Sequence, residues 1–116
     1  MRILVVEDDS GVRDTLNDLL AASGHSVTVA ATHAQAAALL RRPQWDVLLA
    51  DLVLPGGSGL DLAERAVAQG MGAVLCTGHP NQMDNLRARG IGHLAKPFSS
   101  GTLERAITEA IVPPPG

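Results

Sequence analysis

The 116-residue sequence has one cysteine, Cys76, and only two aromatic residues, Trp45 and Phe98. A single cysteine excludes an internal disulfide and fits a reducing compartment. Lysine also occurs only once, at Lys96, beside eight arginines, and the formal net charge is −3. Because positive charge is not clustered anywhere in the sequence, the chain lacks the electrostatic footprint of a nucleic-acid-binding protein.

Long apolar runs are missing as well. The first run, ILVV at positions 3–6, has four residues and leads into acidic residues. That pattern fits neither a secretory signal peptide nor a membrane span, so we expect a cytoplasmic protein with no membrane partner. The length and the 46% apolar content predict one globular domain over residues 1–112. Residues 113–116 are interpreted as a Pro-rich tail or the start of a linker.

Short apolar runs alternate five times with segments of helical periodicity. The runs predict strands over residues 3–6, 27–30, 46–51, 73–77 and 93–96. The predicted caps of the first three helices are Asp9 or Ser10, Thr32, and Ser58. The apolar positions expected to face the core are Val12, Leu16, Leu19 and Leu20 in the first helix, Leu60, Ala63 and Val67 in the third, Met83 and Leu86 in a short fourth, and Leu103, Ile107, Ala110 and Ile111 in the last.

Strict strand–helix alternation with short connections predicts an α/β fold, a doubly wound parallel sheet with helices on both faces. Functional groups in such sheets lie at the carboxyl ends of the strands. Those ends carry Glu7-Asp8-Asp9, Asp51, Thr77 and Lys96. Taken alone, each has an ordinary explanation as a solvated acid, a helix cap, a turn residue or a surface charge. Their convergence on one edge of the sheet indicates a functional site.

The chemistry of these residue types points to phosphoryl transfer. Crowded carboxylates repel one another unless a cation joins them, and oxygen ligands of this kind suit Mg²⁺. With the acids neutralised, one carboxylate can attack a phosphoryl group. Asp51 is the candidate nucleophile because it stands alone at its strand end, whereas Glu7 and Asp8 form a pair suited to the metal. Lys96 and the Thr77 hydroxyl would hold the phosphoryl oxygens.

Four motifs in register, ILVVEDD, DLVLPGGSGLDL, TGHP and KPF, resemble the receiver domain of two-component response regulators, and the resemblance covers residues 2–111. It implies the flavodoxin-like (βα)5 fold with strand order 2-1-3-4-5. It also implies Mg²⁺- or Mn²⁺-dependent transfer of a phosphoryl group from a sensor histidine kinase or histidine phosphotransferase. The stretch LVLPGGSG at 52–59 is then expected to be a flexible loop, without regular structure, through which metal and donor reach the site.

The resemblance also assigns roles to individual residues. It makes Asp51 the phosphoacceptor and a metal ligand, Asp8 a direct metal ligand and Glu7 a ligand acting through water. The carbonyl of Val53 is the implied backbone ligand.

A second group of residues would respond to the phosphoryl group. Thr77 supplies the hydroxyl that follows it and Lys96 the ammonium that pairs with it, and a cis Lys96–Pro97 bond would place that ammonium in the crevice. His93 stands where the family has Tyr or Phe, so the resemblance makes it the switch partner of Thr77.

Two surfaces bear on partners. The segment from Thr77 to Lys96 is about one helical turn shorter than the family norm, which argues against assuming the dimerisation mode of DNA-binding regulators. A monomer or weak dimer is expected. On the first helix the family docks its kinase near Gly11, Val12, Thr15 and Asp18, and Val12 could belong either to that surface or to the core.

The favoured function is a single-domain response regulator that signals to a downstream partner and is not a turnover enzyme. The alternative is a receiver module of a hybrid histidine kinase or multidomain transcriptional regulator, with residues 113–116 beginning a linker. Met1 directly before the first strand favours a natural N-terminus. Two other classes fit less well: a flavodoxin-like cofactor binder needs a phosphate loop after the first strand, and a haloacid-type phosphatase needs a cap domain.

Overall fold

The computed structural model describes residues 1–42, 44–78, 90–96 and 98–111. In this part of the chain the strands are β1 (Arg2–Val6), β2 (Ser26–Ala30), β3 (Val47–Asp51), β4 (Val53–Leu54), β5 (Gly57–Ser58), β6 (Gly72–Thr77) and β7 (Gly92–Ala95). The helices are α1 (Ser10–Ala22), α2 (His33–Leu40), α3 (Gly59–Ala68) and α4 (Ser100–Ile111). None of these helices is long and apolar enough to cross a membrane.

Five of the strands form one parallel sheet in the order β2-β1-β3-β6-β7. The strands that the sequence predicted as fourth and fifth are β6 and β7, so the order 2-1-3-4-5 and the doubly wound α/β fold are confirmed. The predicted helix around Met83 and Leu86, the Lys96–Pro97 bond and the tail at 113–116 lie outside the described residues.

Side-chain hydrogen bonds define the start of three helices. Asp9 Oδ1 accepts from the backbone N–H of Val12 at 3.0 Å, which makes Asp9 and not Ser10 the cap of α1. Thr32 and Ser58 cap α2 and α3 as predicted. Each cap satisfies an N–H that has no partner inside its helix.

The two faces of the sheet carry separate cores. Against α2 and α3 lie the buried side chains of Leu4, Val6, Leu48, Ala50, Ala73 and Leu75. Against α1 and α4 lie those of Ile3, Val5, Val47, Leu49, Val74 and Cys76. Because the central strands are covered on both faces, they read as continuous apolar runs in the sequence.

Two predicted helix faces were partly wrong. In α1, Leu16 and Leu20 are buried, but Val12 and Leu19 are 38% and 37% exposed, so Val12 belongs to the surface. In α3 the buried residues are Gly59, Leu62, Ala63 and Ala66; Leu60 is half-buried and packs against the same core, as predicted, whereas Val67 is 36% exposed. Gly59, which closely approaches the backbone at Asp51, lies on this face, and positions 59, 62, 63 and 66 share it because residues three and four apart are neighbours on a helix.

The prediction of an irregular loop at 52–59 was also wrong. Val53 pairs with Ser58 and Leu54 with Gly57 in a small antiparallel hairpin. Its turn has Pro55 followed by Gly56 at φ +82°, the residue pattern of a type II turn. Hence the segment beside Asp51 has a defined shape.

Candidate functional site

The acids that follow β1 and end β3 lie side by side. The register of the two strands pairs Val6 with Ala50, which brings the next residues, Glu7 and Asp51, together at the carboxyl edge of the sheet. Lys96 follows β7, where its N–H donates to the carbonyl of Thr77 at 3.0 Å. The Lys96 Nζ reaches Asp51 Oδ2 at 2.9 Å and lies 3.6 Å from Glu7 Oε2. Two of the predicted acids and the predicted lysine therefore form one cluster.

Asp8 completes a set of oxygen donors. One carboxylate oxygen each from Glu7, Asp8 and Asp51 can be chosen so that the three atoms lie within 4.8 Å of one another. Glu7 is buried, Asp51 is half-buried and Asp8 is exposed, so the set opens from the core toward solvent. Hard oxygen ligands at this spacing fit a divalent cation such as Mg²⁺.

Arg13 is a site residue that the sequence reasoning missed. Its Nη1 donates to the carbonyl of Glu7 at 3.0 Å and lies 3.5 Å from that of Asp8. The N–H of Glu7 donates to the carbonyl of Ala30 at 3.0 Å, which ties the same segment to β2. A cation in the first turn of the helix that follows the acidic pair was the available signal. These bonds fix the backbone that carries two of the three acids.

Glu7 is the most perturbed acid of the cluster. Its side chain is only 5% exposed, and burial, together with a hydrogen bond to Asp51 and the charge of Asp51, raises its pKa from 4.5 to about 7. The Lys96 ammonium opposes this rise. Burial disfavours the charged ammonium in turn, but its bond to Asp51 and the charges of both acids outweigh burial and raise the pKa of Lys96. The lysine therefore stays charged, and the carboxylates of Glu7 and Asp51 share its single ammonium group.

Backbone contacts set the position of Asp51 relative to the hairpin. The N–H of Leu52 donates to Cys76 and the N–H of Gly59 donates to Leu52, at 3.0 and 2.8 Å. A Cβ at Gly59 would fall 1.9 Å from the carbonyl oxygen of Asp51, so only glycine fits there. Val53 opens the hairpin two residues after Asp51 and is 73% exposed. Cation binding by its carbonyl remains a prediction.

Thr77 and His93 lie on the other face of the sheet edge. Alternation along β6 puts Thr77 on the side of Leu75, whereas Cys76 shares the side of the acids. Thr77 is 3% exposed and is in register with Ala95, while His93 is in register with Leu75. The Nδ1 of His93 is buried and has no hydrogen-bond partner among the described residues. The switch role of this pair remains a prediction.

The sequence matches the profile of the response regulator receiver domain over residues 3–108. The alginate biosynthesis transcriptional regulatory protein AlgB of Pseudomonas aeruginosa is 36% identical over 115 residues, which are 95% of this chain and 26% of AlgB. The phosphate regulon transcriptional regulatory protein PhoB of Klebsiella pneumoniae is 33% identical over 113 residues, 91% of this chain and 49% of PhoB. This chain thus spans half or less of the length of these curated relatives.

Solved structures match over nearly their whole length. A response regulator receiver domain protein from Clostridium thermocellum superposes with a TM-score of 0.85 at 26% identity, covering 95% of this chain and 93% of that one. The receiver domain of the sensor histidine kinase PA1611 from Pseudomonas aeruginosa has a TM-score of 0.80 at 27% identity, with 95% and 96% covered. That structure holds a magnesium ion coordinated in its active site cleft.

Proposed function

Since the chain belongs to the response regulator receiver domain family, we propose that it accepts a phosphoryl group on Asp51 from a sensor histidine kinase or a histidine phosphotransferase. The observation that carries this proposal is the position of the Asp51 carboxylate. One of its oxygens is 2.9 Å from the Lys96 ammonium, and the carboxylates of Glu7 and Asp8 lie beside it. A carboxylate held between a cation and a set of acids can act as a nucleophile once the acids are neutralised.

The transfer itself needs little beyond position and charge. A carboxylate oxygen of Asp51 attacks phosphorus, an O–P bond forms, and the N–P bond to the donor imidazole breaks, which leaves the nitrogen to take up a proton. The Lys96 ammonium is placed to stabilise the negative charge that develops on the phosphoryl oxygens, because its Nζ already donates to the accepting carboxylate. Thr77 ends β6 at this edge of the sheet, and its hydroxyl is proposed as a second donor that turns toward those oxygens once the phosphoryl group is attached.

The donor set fits a divalent cation, Mg²⁺ or Mn²⁺. The carboxylates of Asp8 and Asp51 and the carbonyl of Val53 would hold it directly, and Glu7 would hold it through water. When bound, the cation neutralises the acids and the charge that develops during transfer. The raised pKa of Glu7 supports this assignment, because burial and the neighbouring Asp51 carboxylate both disfavour the ionised form of Glu7 in the absence of a bound cation. The magnesium ion in the PA1611 receiver domain supports it independently.

We propose a signalling module, cytoplasmic and not a turnover enzyme, that changes conformation on phosphorylation and contacts a downstream partner as a monomer or weak dimer. It acts as a single-domain regulator in our first proposal. The second is a receiver module of a longer hybrid kinase or transcriptional regulator, which is favoured by the 26% and 49% shares of AlgB and PhoB that the chain covers.

Intact-protein mass spectrometry after incubation with Mg²⁺ and acetyl phosphate tests the acceptor. The wild type should gain one phosphoryl group that hydroxylamine removes, and Asp51→Asn should gain none. Asp9→Asn is the matched control, because Asp9 lies at the same edge but caps α1, so this variant should still be modified. A stable adduct on Asp51→Asn, or none on a wild type that also binds no cation, would contradict the proposal.

A further inference from the structure

His33, the first residue of α2, packs against the hairpin formed by β4 and β5. A Cβ placed on Gly57 would fall 2.6 and 2.7 Å from two carbon atoms of the His33 ring. The N–H of His33 also points at the carbonyl of Pro55, 3.3 Å away in the turn of the hairpin. The ring therefore occupies the space that a side chain at position 57 would need, and the hairpin rests on it.

The ring is held in that place by a hydrogen bond to Asp61 of α3, which Arg65 of the same helix pairs with in turn. His33 Nε2 lies 2.7 Å from Asp61 Oδ2, and because an ionised carboxylate only accepts, the ring nitrogen carries the proton. The same oxygen of Asp61 lies 3.0 Å from an Nη of Arg65, one turn further along the helix. The side chain of His33 is 16% exposed, while those of Asp61 and Arg65 are about half exposed.

We propose that His33 is a positioning residue for cation binding. Its ring holds the hairpin in place, and the hairpin carries the carbonyl of Val53, the proposed backbone ligand. The path is short: the ring contacts Gly57, Gly57 pairs with Leu54, and Val53 is the next residue. The other end of the hairpin is already fixed, because Gly59 abuts the backbone of Asp51. Val53 and Ser58 form the pair next to this fixed end, and the ring meets the hairpin one pair further on, at Gly57 and Leu54. The ring therefore limits how the hairpin can rotate about its fixed end, and with it the direction of the Val53 carbonyl. This inference rests on the function proposed above.

A positioning role can be separated from a general stabilising role. Ion pairs with half-exposed partners contribute little to the free energy of unfolding. Loss of His33 should therefore change the cation affinity more than it changes stability. His25 provides the matched control, since its Nε2 pairs with Glu104 Oε2 at 3.2 Å in the same manner. It precedes β2 and so lies at the opposite end of the strands.

The experiment measures Mn²⁺ affinity from the electron paramagnetic resonance signal of the free ion, with Mg²⁺ as competitor. His33→Ala should weaken binding about ten-fold, the low end of the range for residues that orient metal ligands. His25→Ala should bind as the wild type does, and Asp61→Asn should weaken binding in the same direction as His33→Ala. In urea unfolding without cation, His33→Ala and His25→Ala should have similar free energies of unfolding.

A double-mutant cycle isolates the contact with the hairpin. Gly57→Ala should weaken Mn²⁺ binding in the wild type, where its Cβ meets the ring, and should have little further effect in His33→Ala. Equal affinities for His33→Ala, His25→Ala and the wild type, or additive effects of Gly57 and His33, would overturn the positioning role. No Mn²⁺ binding by the wild type, or unchanged binding in Asp51→Asn, would instead overturn the proposed function.

Discussion

Replacing Glu7 with Gln should stabilise the cation-free protein at pH 8, although the change removes a residue of the site. The carboxyl is buried beside Asp51, and its pKa rises from 4.5 to about 7 on folding. A carboxyl with a raised pKa binds its proton more tightly in the folded state than in the unfolded one. The contribution of Glu7 to stability is therefore greatest below pH 4.5 and is lost as the pH rises toward 7.

The size of the effect follows from the two pKa values. At about 1.4 kcal/mol per pH unit between 4.5 and about 7, ionised Glu7 costs up to about 3 kcal/mol of the free energy of unfolding. Water in the open crevice screens part of this, so we expect about 2 kcal/mol. Glutamine has nearly the same shape and no charge, and it should recover most of that energy above pH 7 and almost none near pH 4.

Urea denaturation in EDTA at several pH values between 4 and 8 tests this expectation. The wild type should lose stability across that window, and Glu7→Gln should show a flatter profile. Asp18→Asn removes an exposed acid on α1 and should shift the free energy of unfolding by less than about 0.5 kcal/mol. Adding Mg²⁺ should reduce the difference in the free energy of unfolding between the wild type and Glu7→Gln. A Glu7→Gln variant less stable than the wild type at pH 8 would refute the argument that its charge is uncompensated.

Three further predictions follow from the same edge of the sheet. Lys96→Met should raise the pKa of Glu7 further, since the ammonium lowers it; an unchanged carboxyl titration by NMR would contradict the coupling. Gly59→Ala should cost about 3 kcal/mol in urea because its Cβ would meet the carbonyl of Asp51 at 1.9 Å, whereas Gly101→Ala in an open part of α4 should be neutral or slightly stabilising. Burial raises the pKa of the Cys76 thiol to about 12, so a thiol reagent should label it only at the rate of unfolding, and rapid labelling of the native protein would disprove its burial.

Much of this site could be predicted because parallel sheets turn sequence order into geometry. Apolar runs mark the central strands, and the residue after each run must lie at the same edge. Glu7, Asp8, Asp51 and Lys96 were found in this way, and the structure brings them together. The hairpin after Asp51 was missed because glycines were taken as evidence of irregularity, whereas here they supply a positive φ and a close approach.

Local sequence predicted the alternation of strands and helices, the residues at the strand ends and the caps of α2 and α3, because these depend on neighbours along the chain. For α1 it left Asp9 and Ser10 as alternatives, and the hydrogen bond to Val12 identifies Asp9. The tertiary fold sets which oxygen atom Lys96 contacts, the rise of the Glu7 pKa to about 7 and the requirement for glycine at position 59. It also decided that Arg13 holds the acidic segment and that His33 occupies the space beside Gly57. Burial, charge and contact distance depend on residues far apart in sequence, and no local pattern encodes them.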